Sequence, residues 1–537
     1  MALEARAVQR QAQPVLYQRA AEVEALLALA AGALTPLALA PFDIWPLALL
    51  SLGLFYLGLR DLTPKAALWR GWYYGLALFV AGTGWIYVSI HDHGGASALL
   101  AAGLTLGFCA AIAFFFGLAA WLWARWLRRS EAPLADALAF AALWLVLEAF
   151  RGWFLTGFPW LSLGYSQTSA GLKDLAPLIG ETGISFVLAF SAAALAQLTF
   201  KQKPLARYSY VIVAGIIFAV SPQLTAFKGW QHTDKTLSVL LVQGNIKQEL
   251  RWAPEQEWPT MLKYMDLTRP HFQSDLVIWP EAAIPQLEPL AESYLDNLNR
   301  AALYANTAVI SGILDYNFKT QQAWNNLIVL GKRNPDSTDG DYFYGHGNRY
   351  SKHHLLPIGE FVPMEDWLRK LAPIFDLPMS SFTRGSYVQP NLVANGYHLL
   401  PAICFEIAFP AQIAANMTAD TQLLLTVSND AWFGDSIGPL QHLQIAQMRA
   451  LEFGRPLLRA TNNGVTATVN AAGEISKVAP QFTEAVLTDT VRLTEGVTPY
   501  SRFGDTPLQL LSITLLLCCG ARRYTLRHAS HSGNPAI

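Results

Sequence analysis

The stretch HLLPAICFEIAFP, from His398 to Pro410, decides what kind of fold and site this chain has. Its first half has the length and composition of a buried β-strand, and the apolar run ends at Cys404. A carboxylate, Glu406, follows two residues later. A cysteine in this position is either a small core residue, which is the usual interpretation, or a nucleophile at the end of a strand. The stretch alone does not decide between the two.

The composition indicates a protein that lies partly in a membrane. Of the 537 residues, 53% are hydrophobic and 14% are charged, whereas soluble domains carry about a quarter charged residues. The formal net charge of −1 gives no reason to expect a nucleic-acid partner. Cys109, Cys518 and Cys519 lie in long apolar segments, and only Cys404 lies in a region where polar residues interrupt the apolar runs. The cysteine spacing suggests neither disulfides nor zinc, and we expect no metal and no other cofactor.

Eight apolar segments have roughly the length that crosses a bilayer, which is about 20 residues. Seven precede residue 228, and the eighth lies near the C-terminus. The first two are separated only by PFDI, and the fifth contains Asp136 and Glu148, which we expect to face protein or an interface rather than lipid. The segments are 23–41, 43–60, 68–89, 97–124, 133–150, 176–199, 208–224 and 507–520.

The charges in the loops orient these segments. Alternate loops carry arginine and lysine, and the intervening loops carry almost none. Because positively charged loops stay in the cytoplasm, both termini are expected there, and residues from about 228 to 503 on the outer face. The basic residues are Arg6, Arg10 and Arg19; Arg60, Lys65 and Arg70; Arg125, Arg128 and Arg129; Lys201, Lys203 and Arg207; and Arg522, Arg523 and Arg527.

Residues 228–503 have a different pattern, in which short β-rich apolar runs alternate with polar, helix-like stretches. This alternation predicts a layered α/β domain with buried strands. An amphipathic helix is predicted over 441–453. The chain then divides into a seven-helix region (1–227), the α/β domain, and a last helix with its tail (504–537). The predicted strands are 237–246, 274–282, 307–316, 323–331, 398–406, 421–430 and 455–469.

Three motifs carry candidate chemistry: WPEA with Glu281, YSKHHLLPIGE with Lys352 and Glu360, and ICFE with Cys404 and Glu406. Each has an ordinary interpretation, as a helix cap, a solvated lysine, a core cysteine or a surface carboxylate. Together they resemble the nitrilase superfamily, which uses a glutamate, a lysine and a cysteine in this chain order, each after a strand. The resemblance covers the whole outer domain and implies an αββα sandwich.

The resemblance also implies a role for each residue. Glu281 would be the general base, because a thiol is a poor nucleophile until it loses its proton. Lys352 would stabilise the oxyanion together with the backbone N–H of Phe405. Glu360 would orient Lys352. Glu406 would either hold the loop after the nucleophile or contact the substrate.

A nitrilase-like domain joined to membrane spans resembles the apolipoprotein N-acyltransferases of the bacterial inner membrane. Matching stretches are FRGWFLTGFPWLSLGYSQ (150–167), VQGNIKQELRW (242–252) and the run at 429–466. The resemblance implies that a phospholipid gives its sn-1 acyl chain to Cys404 as a thioester. The acceptor would be the α-amine of S-diacylglyceryl-cysteine on an apolipoprotein, and the catalytic domain would lie on the periplasmic side. Phe405 stands where tyrosine is frequent, so no hydroxyl role is expected there.

Other residues are weaker candidates. Trp252, Trp153 and Trp160 either line a lipid access route or belong to an interfacial aromatic belt. Asn325 either positions the substrate or ends a strand. Nothing in the sequence demands more than a monomer. Five polar residues are expected to build the fold around the site, namely Arg449, Glu452, Arg459, Asn462 and Asn463.

Two other functions fit parts of the sequence. One is a membrane-tethered amidase of the nitrilase type, against which the eight spans and the outer location argue. The other is a transporter or receptor with an inactive nitrilase-like domain. The intact set of Glu281, Lys352 and Cys404 argues against that function, and so does the scarcity of charge in most spans.

Overall fold

A computed structural model shows a helical region and an α/β domain that packs against it. Of the basic residues used to orient the chain, Arg6, Arg10, Arg19, Lys201 and Lys203 lie outside the described residues. The structure describes residues 22–129, 131–199, 204–338, 340, 342–357, 359–361 and 381–531.

Twelve helices are labelled here in chain order. Those of the helical region are α1 (22–34), α2 (Pro46–Gly58), α3 (Pro64–Thr83), α4 (Ala98–Leu122), α5 (Pro133–Arg151), α6 (Ala176–Ala196) and α7 (Pro204–Val220). Those of the α/β domain are α8 (Pro254–Thr268), α9 (Glu292–Tyr304), α10 (Pro410–Asn416) and α11 (Gly438–Phe453), and α12 (Thr506–His531) follows.

Small residues let the membrane-type helices pack closely. A Cβ atom added to Gly71 of α3 would lie 2.4 Å from the carbonyl oxygen of Phe116 on α4. A Cβ atom on Gly117 of α4 would lie 2.8 Å from the carbonyl oxygen of Leu68. Without side chains at these positions the two backbones come into direct contact, which is how apolar helices associate when no water is available to drive burial.

Every predicted membrane segment contains a helix among the described residues, but the helices differ in length. Three are long and apolar enough to cross a membrane alone: Ala98–Leu127, Pro133–Arg151 and Lys173–Thr199. A fourth span would consist of Pro64–Thr83 and Ile86–His93, which are bent by 61° relative to each other. Three further apolar helices are shorter: Pro46–Gly58, Val211–Phe227 and Thr506–Ala521. The count of eight spans therefore stays a prediction.

The α/β domain contains two sheets. The seven-stranded sheet has the order β13-β1-β2-β4-β5-β6, with β3 paired to β4, and the six-stranded sheet has the order β12-β11-β10-β9-β8-β7. The strands are β1 (Trp230–Gln243), β2 (Leu276–Ile278), β3 (Ile284–Leu287), β4 (Ala308–Asn317), β5 (Gln322–Gly331), β6 (Arg349–Ser351), β7 (Leu392–Ala394), β8 (Tyr397–Ile403), β9 (Leu423–Ser428), β10 (Leu457–Thr461), β11 (Ala467–Val469), β12 (Ile475–Val478) and β13 (Ala485–Gly496).

The sheets pack face to face, and helices cover their outer faces. One apolar core lies between the sheets and includes Leu241 and Leu425. A second core joins the first sheet to α8 and α9. A third core runs from the second sheet through α11 into the helical region, where it includes Trp160. The predicted αββα sandwich is confirmed, and its second helical layer continues directly into the membrane-type helices.

Several strand predictions are wrong at their ends. The strand predicted over 274–282 stops at Ile278, and that over 398–406 stops at Ile403, because a 3-10 turn begins at Cys404. The run 455–469 is two antiparallel strands, β10 and β11, rather than one. Five strands were not predicted, among them β13, which has exposed polar residues along one side and therefore lacks a continuous apolar run.

The burial of helix α11 differs from the sequence prediction. The sequence predicts an amphipathic helix with a polar face, but nearly every residue of α11 is buried. Its polar residues bond to the helical region: Gln441 Oε1 accepts hydrogen bonds from the indole N–H groups of Trp85 (3.1 Å) and Trp160 (2.8 Å). Gln444 Oε1 accepts one from the backbone N–H of Ala40 at 3.0 Å. The polar face thus attaches the α/β domain to the apolar helices.

Candidate active site

The three predicted catalytic residues lie at strand ends in the tertiary structure. Strands β2 and β4 are parallel, and β6 points the same way because it is antiparallel to β5, which is antiparallel to β4. Glu281 follows β2 and Lys352 follows β6, so both side chains lie at one edge of the first sheet. Their side chains meet, with Lys352 Nζ 3.5 Å from Glu281 Oε1. Cys404 follows β8 of the second sheet, and its thiol is close enough to be influenced by both charges.

The carboxylate of Glu281 is held by two donors besides Lys352. Its Oε1 accepts a hydrogen bond from Asn325 Nδ2 at 2.8 Å, and its Oε2 accepts one from the backbone N–H of Asn429 at 3.0 Å. Glu281 is only 8% exposed. A carboxylate fixed in this way keeps a constant position relative to a nearby thiol, as a general base requires.

Lys352 is a buried ammonium between two carboxylates. Its Nζ donates to Glu360 Oε1 at 2.8 Å, in addition to its contact with Glu281. Burial by itself would lower the pKa of Lys352, but the charges of Glu360 and Glu281 raise it above its usual range. Glu360 is itself held by the backbone N–H of Leu356 at 2.8 Å and by Asn325 Nδ2 at 3.3 Å. Lys352 and Glu360 are thus in direct contact, and Asn325 Nδ2 bridges the carboxylates of Glu281 and Glu360.

Cys404 has a backbone and an electrostatic environment that are unusual for a core cysteine. It starts a 3-10 turn with φ of 54°, a left-handed value that is uncommon for a residue other than glycine. Burial and the negative charge of Glu281 raise the pKa of its thiol to about 12, although Lys352 and a hydrogen bond from Ser428 lower it. The resting thiol is therefore neutral at pH 7, and it would need a base in order to act as a nucleophile.

Glu406 holds the turn that begins at Cys404 to the segment that follows Lys352. It is fully buried and accepts hydrogen bonds from the backbone N–H groups of His353 (2.8 Å), His354 (3.0 Å) and Ile403 (2.8 Å). It also accepts them from the hydroxyl of Tyr350 and the amide of Gln412, both at 2.9 Å. Since protein groups occupy both oxygens, the contacts support the interpretation that Glu406 holds the loop.

Replacing Glu406 with alanine should therefore destabilise the α/β domain. Glu406→Ala leaves buried backbone donors without acceptors, and we expect the free energy of unfolding to fall by about 3–5 kcal/mol. Thermal unfolding of the purified protein in detergent measures the loss. Glu255→Ala, at an exposed carboxylate in the first turn of α8, should cost less than about 1 kcal/mol. Equal stability of the two variants would contradict a structural role for Glu406.

An aromatic cluster joins the turn that begins at Cys404 to the helical region. The ring of Phe405 lies 6.3 Å from Phe158 and 6.4 Å from Trp160, stacked on both. Trp160 is 2% exposed, so it is buried rather than at a surface. In contrast, Trp153 is 73% exposed, and Trp252 is 40% exposed, with the Arg251 guanidinium 5.6 Å from its ring centroid. Of the three tryptophans, Trp153 and Trp252 are thus accessible to a ligand from outside.

The sequence analysis missed several residues at this site. The guanidinium of Arg251 donates to the backbone oxygens of Glu281 and Ala282. Asn429 and Asp430 directly follow β9, so they obey the same strand-end rule as the predicted residues and could have been found by it. His442 lies on α11, where only its tertiary position makes it a neighbour of the nucleophile. Among the described residues, no three His, Cys, Asp or Glu side chains are grouped as metal ligands.

This site and the αββα sandwich define a class of protein. A buried carboxylate, an ammonium and a strand-end cysteine are the groups needed for acyl transfer through a covalent intermediate, as in the carbon–nitrogen hydrolases of the nitrilase superfamily. Residues 239–497 match the family profile described as carbon-nitrogen hydrolase. Residues 31–194 match the profile described as the N-terminal domain of apolipoprotein N-acyltransferase.

Full-length relatives identify the family more narrowly. An apolipoprotein N-acyltransferase of Azotobacter vinelandii is 51% identical over 513 residues, which covers 94% of this chain and 96% of the relative. One from Pseudomonas aeruginosa is 51% identical over 92% of this chain and 94% of its own length. One from Shewanella oneidensis is 46% identical over 86% and 89%. The chain belongs to the apolipoprotein N-acyltransferase family, and it is an acyltransferase.

Proposed function

We propose that this enzyme transfers the sn-1 acyl chain of a phospholipid to the α-amine of S-diacylglyceryl-cysteine at the N-terminus of an apolipoprotein. The transfer runs in two steps through a thioester on Cys404. One observation carries the proposal. The loop of the nucleophile packs through Phe405 onto Trp160, which is itself bonded to α11 at the junction with the apolar helices. Cys404 therefore lies beside the apolar helices, and this position favours a lipid ester over a small soluble amide as the substrate.

In the first step the Cys404 thiol attacks the ester carbonyl carbon, and a C–S bond forms. The thiol proton passes to Glu281. The negative charge that develops on the carbonyl oxygen is stabilised by the Lys352 ammonium and the Phe405 N–H. The C–O bond to the glycerol then breaks, and the leaving alkoxide takes the proton from Glu281. A lysophospholipid leaves, and the acyl chain stays on sulfur.

Proton transfer keeps the net charge of the site constant. At rest the site contains a neutral thiol and an ionised Glu281, and the Glu281 charge is one cause of the high thiol pKa. When the proton moves, Glu281 becomes neutral and the repulsion that opposed the thiolate disappears. The Lys352 charge then remains to stabilise the sulfur and the oxyanion. Glu281 thus accepts the thiol proton and, because it becomes neutral, no longer repels the negative charge of the thiolate.

In the second step the neutral α-amine of the acceptor attacks the thioester carbon. A C–N bond forms and the C–S bond breaks, while Glu281 takes a proton from the nitrogen and returns one to sulfur. A thioester reacts readily with amines, and a site that excludes water protects it from hydrolysis. Both substrates carry acyl chains and reach the site by lateral diffusion in one leaflet. Glu360 and Asn325 hold Lys352 and Glu281 in place in both steps.

We propose that the chain crosses the bacterial inner membrane eight times, with both termini in the cytoplasm and the catalytic domain in the periplasm, and that it acts as a monomer. The alternation of basic loops supports this orientation. The packing of α11 against the helical region supports a place for the domain at the membrane surface, because this packing joins the domain to the apolar helices.

The donor position is tested with two phospholipids that carry the label on either the sn-1 or the sn-2 chain. With the sn-1 label, we expect a labelled thioester on the protein, which disappears when a diacylglyceryl-cysteine peptide is added and reappears on the peptide nitrogen. With the sn-2 label, we expect label only in the lysophospholipid. Label from the sn-2 chain on the protein contradicts the proposed donor position. Release of free fatty acid at the same rate with and without the peptide indicates a hydrolase instead.

A further inference from the structure

A buried polar network lies against the backbone of the nucleophile. The imidazole of His442, on α11, places Nε2 3.0 Å from the carbonyl oxygen of Cys404. Its other nitrogen, Nδ1, lies 3.1 Å from Asp430 Oδ1 and 3.1 Å from Arg459 Nη2. His442 is 1% exposed, and Asp430 and Arg459 are completely buried. None of these three side chains carries out a step of the reaction proposed above.

The neighbours of His442 require a proton on its Nε2 nitrogen. A carbonyl oxygen only accepts, so the bond to Cys404 requires N–H on Nε2. Arg459 only donates, and its Nη2 faces both Nδ1 and Asp430 Oδ2, the latter at 2.7 Å. Burial and the Arg459 charge hold the pKa of His442 below its usual range, although Asp430 opposes them. Nδ1 faces both the donor Arg459 Nη2 and the acceptor Asp430 Oδ1, and a proton of the ring on Nε2 is directed at the Cys404 carbonyl.

The carbonyl that His442 holds belongs to the same peptide unit as the N–H of Phe405. A peptide unit is planar and trans, so its C=O and N–H point in opposite directions. Fixing the carbonyl therefore fixes the direction of the N–H. Phe405 is the second residue of the 3-10 turn, where backbone N–H groups have no partner within the helix. The left-handed φ of Cys404 makes external support for this peptide necessary.

We propose that His442 is a positioning residue, which holds the Cys404–Phe405 peptide so that the Phe405 N–H points at the oxyanion. Asp430 and Arg459 in turn hold the ring. This inference rests on the proposed thioester mechanism, but it does not depend on which phospholipid supplies the acyl chain. It explains why an imidazole from a distant helix meets the backbone of the nucleophile rather than its sulfur.

Removing the imidazole should affect acylation and alkylation of Cys404 differently. Donors of an oxyanion hole contribute about 10²–10³ in rate, and we expect His442→Ala to slow formation of acyl-Cys404 by about 10- to 100-fold. The KM for phospholipid should change by less than about twofold, because the N–H acts mainly in the transition state. Alkylation of Cys404 by iodoacetamide forms no oxyanion, so its rate and its pH profile should stay native.

A pair of amide variants tests the geometry. The side-chain amide of His442→Gln reaches the position of Nε2 and can donate to Cys404, whereas that of His442→Asn reaches only the position of Nδ1. We expect Gln to restore at least part of the acylation rate lost in His442→Ala, and Asn to restore none. If the alanine variant does not fold, equal acylation rates of the Gln and Asn variants overturn the proposal.

Two further outcomes also overturn it. One is native acylation by His442→Ala. The other is a parallel fall of acylation and alkylation, which indicates a general role in the fold. Measurements on the native protein separate the test of His442 from the test of the proposed function. If native protein forms no acyl-Cys404, the thioester mechanism is wrong, whereas the ratio of variant to native rates concerns His442 alone.

Discussion

Replacement of Cys404 by alanine is expected to abolish the acylated enzyme. Cys404→Ala removes only the sulfur that forms the thioester, and transfer of label from phospholipid to peptide should fall to background, by on the order of 10⁴-fold or more. Mass spectrometry of the protein after incubation with phospholipid measures the thioester, and the labelled peptide measures the transfer. Because the thiol contributes little to the packing of the two sheets, the variant should keep the native unfolding temperature.

The other cysteines of the chain supply the control for this experiment. Cys518 is exposed on α12, within an apolar segment. Cys518→Ser should form the thioester and transfer the acyl chain at the native rate. If the acyl label persists on Cys404→Ala, or if Cys518→Ser loses it, the thioester lies elsewhere and the assignment of the nucleophile is wrong.

Replacement of Glu281 by glutamine is expected to slow acyl transfer and, at the same time, to make the Cys404 thiol more acidic. Loss of a general base costs about 10²–10⁴ in rate, and acyl transfer by Glu281→Gln should fall by that factor. The thiol, however, should become more acidic. Burial is the first cause of its pKa of about 12, and the negative charge of Glu281 is the second. Glutamine removes the second cause, so the pH at which thiolate forms should decrease.

Alkylation of Cys404 across a pH series measures this second effect. In the native protein the alkylation rate should still rise at alkaline pH, and in Glu281→Gln the rise should begin at lower pH. Glu292→Gln, at an exposed carboxylate of α9, should change neither the alkylation profile nor the transfer rate. A thiolate midpoint in Glu281→Gln that is unchanged or higher would contradict the electrostatic account of the site.

The sequence alone determined which chemical groups are candidates for the site, since WPEA, YSKHH and ICFE are local motifs. Glu281, Lys352 and Cys404 lie after strands in the structure, as the resemblance implied: Glu281 and Lys352 follow β2 and β6 of the first sheet, and Cys404 follows β8 of the second. The sequence also determined the layered class of the domain, because central strands buried on both faces are continuous apolar runs. It did not reveal the short strand β6, whose few residues give no periodic pattern.

Only the tertiary structure decided what surrounds the nucleophile. Glu406 bonds to His353, which is 53 positions away, and Trp160 bonds to Gln441, which is 281 positions away. A periodic pattern shows that α11 has a polar face, but it cannot show whether that face meets water or another polar group. Nor can it show that His442 of that helix points at the backbone of Cys404. Contacts between distant residues depend on how the sheets and helices pack, and local sequence patterns carry no information about that packing.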